Sequence, residues 1–153
     1  MPPPSDSPSS EHAPFAPGAG DAVALIVEDT EDLRKLFAEE LAGAGFTVVQ
    51  AVDGHDAIEQ ARRFAPRAVL LDLMLPGING FGVARFLRED ARTRDAAIVA
   101  LTALSSESLR TTALEAGCDL FIRKPVVASD VVGQLVRLVE RRRTPSEPPR
   151  EKG

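Results

Sequence analysis

The chain contains a single cysteine and neither tryptophan nor tyrosine. Cys118 alone cannot close an internal disulfide, so stability has to come from a packed core, and a reducing, cytoplasmic setting is expected. Long apolar runs are missing too. None is longer than Ala22 to Val27, which falls far short of the roughly 18 residues of a membrane span, and the opening MPPPSDSPSS lacks the basic and apolar segments of a secretory leader. With 18 Lys+Arg against 23 Asp+Glu, the formal charge of −5 leaves no broad basic surface for nucleic acid. Arg141 to Arg143 do cluster, but they read as a solvated helix end. Proline is scarce where it would interrupt structure: of 12, only Pro66, Pro76 and Pro125 lie between Pro17 and Pro145. Residues 1–20 (Pro/Ser-rich) and 144–153 are therefore expected to be disordered tails, and residues 21–143 one domain large enough to bury its core. A second, output domain is not expected.

From Ala22 onward, short apolar runs rich in β-branched residues alternate with stretches of helical spacing, as βα units do. The runs Ala22 to Val27, Phe46 to Val52, Ala68 to Leu73, Ala97 to Thr102 and Leu120 to Ile122 read as strands covered on both faces. Leu33, Leu36, Phe37 and Leu41 mark the buried side of a first helix that ends near Gly45. Asp53-Gly54 opens the second, which carries Ala57, Ile58, Ala61 and Phe64 inward and stops before Pro66. The third spans about Phe81 to Glu89, and the fourth about Ser106 to Ala116 with Gly117 closing it. The fifth takes Ser129 as its N-cap and buries Val131, Val132, Leu135, Val136 and Val139. Right-handed crossovers between parallel strands then give an α/β fold, a (βα)5 doubly wound five-stranded sheet of flavodoxin-like order 2-1-3-4-5. Its ligand crevice lies beyond the carboxyl ends of strands 1 and 3.

Those ends are acidic. Strand 1 runs into Glu28-Asp29 and strand 3 into Asp72, so three carboxylates converge where a nucleotide-binding fold would carry glycines. Two such charges about 4 Å apart repel by roughly 4 kcal/mol at an effective dielectric near 20, so the trio calls for a cation or a raised pKa. Mg2+, an oxygen-seeking ion at home in open sites, fits; Zn2+ does not, because His12 and His55 are far apart and Cys118 is alone. Strand 4 adds the Thr102 hydroxyl and strand 5 the Lys124 ammonium, followed by Pro125. Asp72, on the central strand, is the candidate nucleophile for a phosphoryl group, with Glu28 and Asp29 holding the metal.

Four blocks at domain spacing, VEDTEDLR (27–34), LLDLMLPGINGF (70–81), ALTA (100–103) and AGCDLFIRKPV (116–126), resemble the receiver domain of two-component response regulators. The resemblance implies Asp72 as phosphoacceptor, Glu28 and Asp29 as the acidic metal pair, and Met74 as donor of a backbone carbonyl to Mg2+. It implies Thr102 as switch hydroxyl, Lys124 as the family's lysine, a cis Lys124-Pro125 peptide and Phe121 as the aromatic switch. A histidine kinase or histidine phosphotransfer protein would donate the phosphoryl group. A downstream protein target would read the face built from the fourth helix, fifth strand and fifth helix. A stand-alone signalling domain is expected, with self-phosphorylation and dephosphorylation as its only catalysis. A phosphorylation-linked homodimer is compatible with these residues, though none requires it. The rival reading is a docking module of the same fold that is never phosphorylated. A phosphatase using an aspartyl phosphate is disfavoured because Asp72-Leu73-Met74 holds no second acid.

Overall fold

A computed structural model describes residues 22–142 apart from Pro76 and Ser105. The tails expected at 1–20 and 144–153, and Arg143, lie outside the described residues. Strands β1 (Val23–Val27), β2 (Thr47–Ala51), β3 (Ala68–Asp72), β4 (Ala97–Thr102) and β5 (Leu120–Arg123) form one parallel sheet in the order β2-β1-β3-β4-β5. The helices are α1 (Glu31–Gly43), α2 (Gly54–Phe64), α3 (Gly80–Glu89), α4 (Glu107–Ala116) and α5 (Ala128–Arg142). Every residue of β3 and β4 is buried, because helices cover both faces and leave no solvent side on which a polar residue would be favoured.

Two cores follow. Phe37 and Leu41 of α1 and Val131, Leu135 and Val139 of α5 pack on one face, against Ile26, Leu70, Val99 and Leu101. Ala57 and Ala61 of α2, Val83 and Leu87 of α3, and Ala113 of α4 pack on the other, against Leu25, Val69, Leu71 and Ile98. Local chemistry punctuates the elements. The Asp53, Asn79 and Ser106 side chains accept the N–H groups of Asp56, Gly82 and Leu109 at three helix starts, and Gly117 closes α4 in the left-handed region at φ +115°.

Four expectations need correction. Leu36 is 46% exposed: the buried stripe of α1 is Phe37–Leu41 with half-buried Leu33, and Leu36 sits about 100° round the helix from Phe37. Phe64 is 40% exposed at the last position of α2, where its ring lies under the Arg63 guanidinium, 5.2 Å away, rather than in the core. Ser129 is not a cap. The Val127 carbonyl already accepts from Asp130 and Val131, so α5 starts at Ala128 and Ser129 falls inside its first turn. Nor is the far end of α5 merely solvated. The Arg142 guanidinium pairs with Asp119, whose other oxygen takes bonds from Arg88 and the Ile98 N–H.

Candidate functional site

Parallel register decides which residues meet. Val27 lies opposite Leu71, so the next residues along, Glu28 and Asp72, leave the sheet side by side. Leu101 pairs with Asp72 and Thr102 with Arg123, which brings the Thr102 hydroxyl and Lys124 to the same edge. Glu28, Asp29 and Asp72 each offer a carboxylate oxygen, all within 4.8 Å of one another. Glu28 and Asp72 are buried, at 1% and 5% exposure, while Asp29 is exposed.

Lys124 bridges the two buried acids, its Nζ donating to Glu28 Oε1 at 3.1 Å and to Asp72 Oδ2 at 3.2 Å. The Lys124-Pro125 peptide is cis, and the Lys124 N–H donates to the Thr102 carbonyl at 2.7 Å. Three carboxylates against one ammonium leave an excess of two negative charges. Burial pushes the Glu28 carboxyl above its ordinary value; the Lys124 hydrogen bond opposes this and the Asp72 charge adds to it. For Lys124, burial favours the neutral amine, but the Glu28 hydrogen bond and the charges of Asp72 and Glu28 outweigh it and hold the ammonium above its usual pKa.

Two short turns shape the rim. The Met74 N–H donates to Asp72 Oδ1 at 2.9 Å, and the Leu104 N–H donates to Thr102 Oγ1 at 3.1 Å. Thr102 is fully buried, and no acceptor among the described residues takes its hydroxyl proton. The Met74 and Leu104 side chains are each about half exposed, at 49%. Phe121 is half-buried, projects from the same sheet face as Thr102 two register pairs further back, and packs on the α2–α3–α4 core. It also lines a shallow cavity of about 330 Å3 with Glu107, Arg110 and Arg123.

Glu28, Asp29, Asp72, Thr102 and Lys124 thus converge on one edge, and Phe121 stands back from it. An all-oxygen donor set with surplus negative charge suits a hard divalent cation such as Mg2+. Three residues that the sequence does not assign to the site support it, Gly80 being expected only to serve the turn into the third helix. The Thr30 N–H donates to Glu28 Oε2 at 3.2 Å. Gly80 touches the Asp72 carbonyl so closely that a Cβ there would sit 2.7 Å from its oxygen. Arg34 bonds the Glu28 carbonyl at 2.9 Å. Its signal was a cation near the start of a helix, where the dipole disfavours positive charge; the glycine gave none beyond the turn it opens.

A family model described as the response regulator receiver domain matches residues 24–136. A probable transcriptional regulator, ycf27, of Porphyridium aerugineum is 37% identical over 117 residues, which is 76% of this chain and 48% of that protein. The chain spans about half the length of several curated relatives it matches. A putative response regulator from Chloroflexus aurantiacus superimposes with a TM-score of 0.71 at 29% identity, covering 77% of this chain and 97% of that one. The BeF3-activated DrrB receiver domain does so at 0.70 and 26%, covering 78% and 97%.

Proposed function

The chain belongs to the response regulator receiver domain family, and on that premise we propose that Asp72 is its phosphoacceptor in a Mg2+-dependent phosphorelay. The observation that carries the reading is the Asp72 carboxylate itself: 5% exposed, gripped by Lys124 and the Met74 N–H, and flanked by two further acids. One Asp72 oxygen attacks the phosphorus of a phosphohistidine on a histidine kinase or histidine phosphotransfer protein. The P–N bond breaks, and its electron pair leaves on the imidazole, which takes up a proton. Glu28, Asp29, Asp72 and the Met74 carbonyl would hold Mg2+, which when bound supplies countercharge for the carboxylates and the phosphoryl oxygens. Lys124 stays on Asp72 and turns its remaining proton toward a phosphoryl oxygen. Thr102 donates its unclaimed hydroxyl proton to another.

That last bond is the link to signalling. The Thr102 hydroxyl already accepts from the Leu104 N–H, but its proton, which has no acceptor among the described residues, gains one when phosphate arrives, and Phe121 shares its sheet face. The α4–β5–α5 face is then read by a downstream protein target, with a homodimer through the same face as one form of output. Residues 21–143 constitute this unit, in a cytoplasmic setting. Among the described residues no helix is long and apolar enough to cross a membrane.

The test is intact mass after incubation with acetyl phosphate and Mg2+. The wild type is expected to gain one phosphoryl group and Asp72→Asn none. A wild type that, like Asp72→Asn, gains no phosphoryl group would overturn the proposal in favour of a docking module.

A further inference from the structure

Among the three acids, Asp29 stands apart. Glu28 and Asp72 are clamped by Lys124, whereas no hydrogen bond or ion pair among the described residues holds the exposed Asp29 carboxylate. Its place is therefore set by its backbone. The peptide linking Glu28 to Asp29 is planar, so whatever fixes the direction of the Glu28 carbonyl fixes the direction in which Asp29 leaves the strand. Arg34 is what fixes it. Its Nη1 donates to that carbonyl at 2.9 Å, while its Nε donates to Gln50 Oε1 on β2 at 3.1 Å. One planar guanidinium thus ties the β1–α1 loop to the neighbouring strand by two donors in fixed relation.

We propose that Arg34, braced by Gln50, is a positioning residue that orients the Glu28–Asp29 peptide so that Asp29 faces the metal site. This rests on the Mg2+ reading above. The placement of the arginine is otherwise unfavourable: it puts a cation near the start of α1, where the helix dipole opposes it, and beside a site meant to attract another cation. Electrostatics alone and positioning consequently predict opposite signs. Removing a positive charge beside the acids should tighten Mg2+ binding if charge is all that matters. Losing the support of a ligand should weaken it, typically by tenfold or more.

The experiment is calorimetric titration of the EDTA-treated full chain with Mg2+, with far-UV circular dichroism in EDTA to check folding. Arg34→Met keeps the apolar stem and removes all donors; Gln50→Leu removes the brace without changing charge. Lys35→Ala, which deletes a neighbouring α1 cation exposed to solvent, is the charge control. The proposal expects roughly tenfold weaker binding for Arg34→Met, weaker binding in the same direction for Gln50→Leu, and no weakening for Lys35→Ala. Should Arg34→Met fail to fold, Gln50→Leu decides. Unchanged or tighter binding in the folded variants overturns the positioning role while leaving the metal site intact. A wild type that takes up no Mg2+ overturns the metal reading and the positioning role together.

Discussion

Lys124→Met tests the electrostatics of the site most directly. The substitution keeps most of the length of the side chain but leaves Glu28 and Asp72 facing one another, with side chains only 2% and 7% exposed. Two carboxylates at the 4.8 Å limit of the cluster repel by about 3 to 4 kcal/mol at an effective dielectric near 20, in line with the cost of breaking a buried pair by removing one partner. The variant should therefore lose about 3 kcal/mol at pH 8 in EDTA, or on the order of 10 °C in Tm. Circular dichroism is the suitable probe, since the chain has no tryptophan or tyrosine.

The pH dependence gives a second handle. Burial raises the folded-state pKa of Glu28 above its ordinary 4.5, so the folded protein binds that proton more tightly than the unfolded one. The associated stability is present at low pH and is lost as pH rises from 4.5 through the folded value. Lys124 lowers that value, and removing it widens the window upward. In the wild type the ammonium, whose own pKa is raised, contributes fully below 10.5 and is lost only above its folded value. The variant's deficit should thus be largest at pH 8 and shrink toward pH 5, and Mg2+ at ten times its Kd should restore about 1.4 kcal/mol. A deficit under about 0.5 kcal/mol at pH 8, or one that stays constant down to pH 5, would refute the reasoning and leave Lys124 as packing alone.

Thr102→Ala should still accept phosphate from acetyl phosphate but respond weakly at the α4–β5 face; equal partner affinity of the phosphorylated wild type and variant would remove the coupling. Met74 and Leu104, half-exposed apolar side chains at the rim, should hinder an attacking water, so the phosphoform is expected to be long-lived in Mg2+. Decay within seconds without a phosphatase, followed by intact mass, contradicts this. Gly80→Ala would put a methyl 2.7 Å from the Asp72 carbonyl oxygen and 2.6 Å from Leu73 Cα, and should cost about 1 to 3 kcal/mol in urea denaturation. A wild-type midpoint would mean that α3 can retreat from β3 without penalty.

The layout of the fold was legible because its signals are local. Continuous apolar runs such as AVLL and AIVAL announce strands with no solvent face, and glycine or proline marks most helix ends. The errors fell where a helical stripe ends. Leu36 and Phe64 have the right residue type, but whether a flank position reaches the sheet depends on how the helix is rolled against it, which periodicity does not encode. Ser129 has the right chemistry for a cap, yet the Val127 carbonyl begins α5 before it.

The candidate site divides in the same way. Identity and order of the acids, the hydroxyl and the lysine are written in the chain, because each closes a strand and all parallel strands end at one edge. Which atoms touch is a tertiary matter. That Lys124 grips two carboxylates at once, that Asp29 has no anchor among the described residues, and that Arg34 reaches past its own helix to a carbonyl and to Gln50 all depend on distances between segments that only the folded chain brings together. Residue type limits what a group can do; only packing settles which neighbours are close enough for it to be done.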